Sequence, residues 1–325
     1  MSTPPSPPPA GNAAPGRIYM SAGDWGRLML LSLLWGGSFF FVEIGLRDLP
    51  PLTLTCLRVL LAAIALQALI RLTGIAEPPP KGSWKEFLPL ALISNALPFS
   101  LIVWGQTHID SGLASILNAM TPLNTVLVAH LLTSDEKITP GKALGLALGL
   151  FGVVVMIGPE ALGGLGDQVL GQLAVLGATV SYGFAIVRGR RIKAMGIAPV
   201  TAAAGMLTWA TVLLLPVALV VEQPWTLQSL HWQTPLALLG LSLLSTAAAY
   251  LLYFRILAGA GATNMALVTF LVPITANLLG IVFLGEEPGW DQLFGILAIG
   301  TGLAFIDGRL PQKLFGRGKP NQAEK

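Results

Sequence analysis

Charge is what this chain has least of. Asp, Glu, Lys and Arg together make 11% of its 325 residues, against 54% hydrophobic. A soluble domain carries about 25% charged residues, so too little polar material is present to clothe a water-facing surface. Cysteine is nearly absent as well. Cys56 stands alone, which excludes an intramolecular disulfide, a cysteine zinc cluster and a dithiol redox pair, and leaves it the role of small apolar filler. The three histidines, His108, His130 and His231, lack metal-ligand spacing, so neither a metal nor a cofactor is expected. No glycine-rich phosphate loop followed by Lys-Ser or Lys-Thr occurs, and ATP-driven transport by this chain alone is left without support. Polar–apolar alternation is missing too: runs such as KALGLALGLFGVVVMIG do not read as porin strands.

Long apolar runs are what remains, and at about 20 residues each they read as membrane-spanning helices. Ten are found: Leu28–Leu46, Leu52–Leu72, Phe87–Gln106, Gly112–Leu132, Gly141–Gly158, Gly171–Arg188, Val200–Val221, Pro235–Leu257, Ala262–Leu284 and Gln292–Phe305. The expectation is an all-α membrane protein. The Pro-rich opening MSTPPSPPPAGNAAPGR lacks the basic start and apolar core of a signal peptide and reads as a disordered tail. With the N-terminus placed in the cytoplasm, that side collects seventeen basic residues and the opposite side only Arg47, with Arg58 inside a span. This positive-inside bias predicts cytoplasmic N- and C-termini and an even number of spans. The basic patches are topology signals, so no nucleic-acid partner is expected; the lipid bilayer and a small-molecule substrate are.

The stretch PLNTVLVAHLLTSDE, Pro122 to Glu136, returns as PITANLLGIVFLGEE, Pro273 to Glu287, 151 residues later. Further on, Gly145, Gly152 and Gly158 align with Gly295, Gly302 and Gly308 at an offset of 150. Each half then holds five spans, an odd number, so the second copy enters the membrane upside down. The expected fold is ten transmembrane helices as two inverted five-helix repeats around a central cavity. The boundaries are a cytoplasmic tail at 1–26, repeat 1 at 27–165, repeat 2 at 166–309 and a basic tail at 310–325. Inverted repeats underlie alternating access in secondary transporters, with substrate near the midplane.

Ten spans as five plus five, Trp35-Gly36 in the first span and the doubled proline-to-glutamate phrase resemble the EamA-type branch of the drug/metabolite transporter superfamily. The resemblance covers Leu28 to Gly308. It implies a ten-helix bundle, and within the superfamily the chain is most similar to bacterial inner-membrane exporters of amino acids and related metabolites. The second half begins with SYG rather than a tryptophan–glycine pair, so no substrate role transfers between those positions by symmetry.

Candidate residues follow from what sits inside the spans. Pro122 and Pro273 predict kinks that free backbone carbonyls, tolerated at membrane depth only beside protein or a watery cavity. Asn118 and Thr121 share a face with Pro122, and Asn277 lies four residues beyond Pro273; they line a cavity or serve as interhelical hydrogen bonds. Trp35, Phe39, Asn95, Phe99, Tyr182, Thr246, Tyr250 and Tyr253 give flat walls with amide and hydroxyl groups, suited to an aromatic or mixed-polarity solute. The alternative for these aromatics is a lipid-facing or belt position, as assumed for Trp84, Trp225, Trp232 and Trp290. Glu43 and Arg58 are the charges clearly inside spans, at depths of about 5 and 9 Å. They read as an intramembrane ion pair, as snorkelling anchors, or as a coupling site. Glu136 and Glu287 are expected to cap the helices that follow them.

The composite expectation is a bacterial inner-membrane secondary transporter, not an enzyme, exporting small amphipathic metabolites by alternating access, amino acids including aromatic ones first among them. A monomer is favoured over a dimer, because GKALGLALGLFG is a groove for packing the fifth helix within one protomer. Cationic drugs or nucleotide sugars on the same fold are the rival cargo; a lipid-modifying enzyme would need clustered acids or a His/Asp set that the spans lack.

Overall fold

The computed structural model describes residues 22–134, 138–157, 166–227, 229–265 and 267–307. Among them are ten helical rods and no strand. In chain order these are α1 (Ala22–Gly45), α2 (Pro51–Thr73), α3 (Trp84–Gly105), α4 (Ser111–Leu132), α5 (Pro140–Ile157), α6 (Asp167–Ala194) and α7 (Pro199–Glu222). Then come α8 (Gln233–Leu239, Gly240–Ala248 and Ala249–Met265), α9 (Val268–Leu279 and Gly280–Leu284) and α10 (Trp290–Asp307). Seven are long and apolar enough to cross a membrane, and α5, α9 and α10 contribute shorter apolar stretches. The chain is a multi-pass membrane protein. Large apolar side chains such as Leu131, Val220 and Phe283 are exposed on its outside, as a lipid-facing surface requires. Trp84, Trp225, Trp232 and Trp290 are exposed near helix ends.

Local chemistry sets several boundaries. Pro51 and Pro199 open α2 and α7, where a missing N–H costs nothing. Gly74 ends α2 in the left-handed region at φ 61°, its N–H returning to the Ile70 carbonyl. One expected boundary is overturned. The glycine-rich segment between Leu257 and Ala262, read as a loop, is helical, and the break falls after Met265 instead.

Exchange of the two halves maps the helix pairings onto themselves. α1 packs on α9 as α6 packs on α4; α1 meets α8 as α6 meets α3; α2 meets α8 as α7 meets α3. The pairs α2–α7 and α5–α10 map onto themselves. The sequence-matched glycines sit on the last of these. A Cβ on Gly302 would lie 2.5 Å from the Gly145 carbonyl oxygen, and one on Gly152 would lie 2.9 Å from that of Gly295. The glycine repeat is thus one reciprocal backbone-to-backbone contact, and the groove on α5 is filled within the protomer. Because α1 ends and α6 begins at the same end of the bundle, the two five-helix repeats are inverted. That end carries Asp48, Asp110, Glu222 and Glu286 in or beside its loops; the opposite end carries Lys85, Arg188 and Arg191.

Three helices contain wide π-type turns, at Leu92–Ala96 in α3, Gly240–Ala248 in α8 and Gly280–Leu284 in α9. The first two occupy matching places in the two repeats. Such turns recur where a helix re-aims side chains at a functional site.

Candidate functional site

A cavity of about 390 Å³ lies between the repeats. α1 gives it Trp35, Ser38, Phe39 and Val42, and α6 gives Tyr182, Ala185, Ile186 and Gly189. Both sets step i, i+3, i+4, i+7, the spacing of one helical face, and they run in opposite directions. The fold's symmetry therefore reaches the cavity wall, with bulkier residues contributed by the first half. Trp35 lies 5.7 Å from Tyr253 between ring centres, and Phe99 meets Tyr182 edge-on at 6.5 Å.

Of the residues singled out from sequence, Trp35, Phe39, Phe99, Asn118, Thr121, Tyr182, Thr246, Tyr250, Tyr253, Pro273 and Arg58 line this space. Four do not. Asn95 is fully buried behind the wall, where its Oδ1 accepts the Tyr250 hydroxyl at 3.0 Å and its Nδ2 donates to Ser94 Oγ at 2.7 Å. The π turn explains the miss: Phe99 shares the cavity face with Ser94, five residues back, rather than with Asn95, four back. Asn277 donates to the Pro273 carbonyl at 2.8 Å and lies against Gly112 at the start of α4. Pro122 restarts a helix rather than kinking one, since α4 breaks at Ala119–Met120 and resumes at Thr121. The Asn118 carbonyl that Pro122 cannot bind instead accepts the Thr121 hydroxyl at 2.8 Å.

The expected Glu43–Arg58 ion pair is absent. The Arg58 Nε donates to Thr246 Oγ1 at 3.0 Å, and the guanidinium lies 3.9 Å above the centre of the Phe99 ring. One Glu43 oxygen is buried without a partner. Similar depth does not imply facing sides: Arg58 turns toward α3 and α8, whereas Glu43 does not line the cavity at all. Sequence reasoning also missed Gln106, seven residues after Phe99 on the same face. Its Nε2 donates to the Phe39 carbonyl at 3.0 Å, and its Oε1 is buried without a partner. A polar side chain closing an otherwise apolar span was the available signal.

At the acidic end, carboxylates tie the halves together. Glu286 accepts from Ser111 N (3.0 Å), Ser111 Oγ (2.5 Å) and Gly112 N (3.0 Å), capping α4. This corrects the expected capping by Glu287: the neighbouring acid does it, and caps a helix of the other repeat rather than the next in sequence. Glu136 lies outside the described residues. Glu222 caps α2 in the same way, accepting from Leu52 N (2.8 Å), Thr53 N (2.6 Å) and Thr53 Oγ1 (2.8 Å). Asp48, in the loop after α1, accepts from His231 N at 2.8 Å, contacts His231 Nδ1 at 2.7 Å and accepts from the Thr234 hydroxyl. The Thr234 and His231 bonds pull its carboxyl down from 3.8 to about 2. Among the described residues the basic end carries less: Arg188 and Arg191 of α6 reach Glu86 of α3 at 2.9 and 3.7 Å, all partly exposed. The cavity lining runs toward both ends, to Val42, Gln106 and Ser115 near the acidic one and to Ile186, Gly189 and Val268 near the basic one. No group of three His, Cys, Asp or Glu among the described residues could hold a metal.

With this geometry, likeness to known proteins becomes informative. The model of the EamA-like transporter family matches the chain twice, over residues 26–158 and 169–307. The uncharacterized transporter YoaV of Bacillus subtilis is 27% identical over 281 residues, 85% of this chain and 94% of that protein. The uncharacterized inner membrane transporter YedA of Escherichia coli is 28% identical over 81% of this chain and 83% of its own length. A probable amino-acid metabolite efflux pump of Escherichia coli is 25% identical over 87% and 94%. A crystal structure at 20% identity superposes with a TM-score of 0.63 over 92% of this chain and all of its own, a likeness of fold alone. The chain belongs to the EamA-like transporter family.

Proposed function

We propose that the protein is a secondary transporter of the bacterial inner membrane that exports small amphipathic metabolites, amino acids including aromatic ones, by alternating access. The observation that carries this reading is the cavity between the inverted repeats, aromatic on its walls and, among the described residues, holding one charged side chain, Arg58. Apolar walls with a few fixed polar groups suit a solute with a flat or aliphatic body and a polar head. The efflux pump among the relatives supports the class of cargo. The basic end, by the positive-inside rule, is cytoplasmic, so an exporter would load past Ile186, Gly189 and Val268, where the lining approaches that end. The segments before α1 and after α10 then lie in the cytoplasm, α1 starting at Ala22 rather than after a tail that runs to residue 26, and the protomer acts alone.

Cationic drugs fit less well, because among the described residues no carboxylate lines the cavity; nucleotide sugars call for more than one cation. The test is flux of labelled phenylalanine, tryptophan and threonine into proteoliposomes of the pure protein, with and without an imposed pH gradient. Saturable flux is expected, with accumulation under the gradient only if transport is proton-coupled. Failure of all three to move would overturn the amino-acid reading.

A further inference from the structure

Arg58 is buried, with 6% of its surface exposed, yet among the described residues no carboxylate lies within 4 Å of it. A cation taken out of water costs several kcal/mol unless something offsets it. Two contacts offset part of that cost and also fix the group. The Thr246 hydroxyl donates its proton to the Leu241 carbonyl at 2.7 Å, five residues back across the π turn, so only its lone pairs are left to receive the Arg58 Nε. The Phe99 ring lies beneath the guanidinium plane, an arrangement that favours a cation. Neither contact uses the two terminal nitrogens of the guanidinium, the pair that binds a carboxylate in bidentate fashion.

Other polar groups of the lining are left open. Gln106 Oε1, Asn118 Oδ1 and Ser245 Oγ are buried without partners, and all three residues face this cavity. The Gln106 amide is held with its oxygen free because its nitrogen is committed to the Phe39 carbonyl. The two amide oxygens call for a donor, the Ser245 hydroxyl can accept beside them, and an ammonium supplies three N–H groups. We propose that Arg58 receives the substrate's carboxylate and that Gln106, Asn118 and Ser245 receive its ammonium, so that the cavity selects α-amino-acid zwitterions. This deepens the amino-acid reading above and rests on it. Phe99 and Thr246 are positioning residues, acting through Arg58.

The test uses the full chain in nanodiscs, with labelled phenylalanine and labelled 3-phenylpropionate as probes and phenethylamine as competitor. Phenethylamine lacks the carboxylate and 3-phenylpropionate lacks the ammonium. In the wild type, phenethylamine is expected to bind about 30-fold more weakly than phenylalanine, which corresponds to about 2 kcal/mol at 1.4 kcal/mol per tenfold. Arg58→Gln should weaken phenylalanine about 30-fold and leave phenethylamine unchanged, while Arg58→Lys, keeping the charge but losing the fork, falls between. Asn118→Leu should erase the preference for phenylalanine over 3-phenylpropionate. Equal wild-type binding of phenylalanine and phenethylamine would overturn the proposal without any variant having to fold. So would an Arg58→Gln protein in which both weaken by the same factor; saturable phenylalanine flux in that case would keep the amino-acid reading. If 3-phenylpropionate bound only with Arg58 present and phenylalanine not at all, the zwitterion proposal and the amino-acid reading would both fall, leaving Arg58 as an anion site.

Discussion

The two ends of the bundle are closed by different chemistry. At the acidic end, Glu286 and Glu222 each receive two backbone N–H groups and a hydroxyl from a helix start in the opposite repeat. At the basic end, Glu86 meets two arginine heads that remain 31% and 66% exposed. The first contact satisfies donors that nothing else in the helix can satisfy, and carboxylate suits the positive end of the helix dipole. The second exchanges water for a long, flexible partner and gains about 0–1 kcal/mol. On the alternating-access reading proposed above, a carrier needs unequal ends in any given state, and these carboxylates make the two ends unequal.

The largest break in the comparison is therefore Glu286→Ala. It strands three donors at the start of α4, each charge-assisted bond being worth about 1.5–3 kcal/mol. The acidic end should open at least tenfold more often, a shift that needs only about 1.4 kcal/mol. Ser115 lines the cavity one turn inside this latch. Labelling of Ser115→Cys, in a Cys56→Ala background, by an impermeant maleimide on the acidic side measures the opening. An unchanged labelling rate would show that Glu286 caps a helix without holding a gate.

How far these features were legible in sequence depends on what each required. The apolar runs gave the ten helices, since length and hydropathy alone decide whether a segment suits lipid. The offset of 150 between Gly145 and Gly295, and between Gly152 and Gly302, held the register of the α5–α10 contact before any coordinates existed. The face of α1 that carries Trp35 and Phe39 follows a 3.6-residue period, and both residues line the cavity. Where the period fails, the reading failed: the π turn in α3 adds about one residue, roughly 100° of rotation, and carried Asn95 out of the cavity and Ser94 into it. Arg58 and Glu43 show the other limit. Depth can be counted along a helix, but the direction in which each helix faces is set by packing against four or five others. The cross-repeat latches were illegible for the same reason, because Glu286 and Ser111 are 175 residues apart.

The Asp48 latch sharpens the comparison through pH, with a smaller effect. Its carboxyl is lowered from 3.8 to about 2 by Thr234 and His231, so the folded state favours the ionised form. A lowered pKa contributes stability that is fully present above the unfolded value and lost as pH falls through the folded one. The latch should hold unchanged from neutral pH to about 5 and weaken between about 4 and 2. Melting temperatures of the wild type and Asp48→Asn in detergent, taken across that range, should differ by a constant amount above pH 5, with the gap closing between about pH 4 and 2 and gone only below about pH 2. Convergence at a higher pH would mean that a different group governs this end.

The smallest expected effect belongs to the basic end, and its smallness is the point. Glu86→Gln removes the partner of both Arg188 and Arg191, but all three side chains reach water, and water replaces what the carboxylate gave. Solute entry from the basic end should change less than threefold, as should the Ser115→Cys labelling rate on the acidic side. Raising the salt concentration should mimic the substitution in the wild type, since exposed pairs are screened, while leaving the Glu286→Ala phenotype untouched. If Glu86→Gln instead matched Glu286→Ala in size, the two ends would be equally latched. The difference between amide-bound and arginine-bound carboxylates would then not decide which end opens.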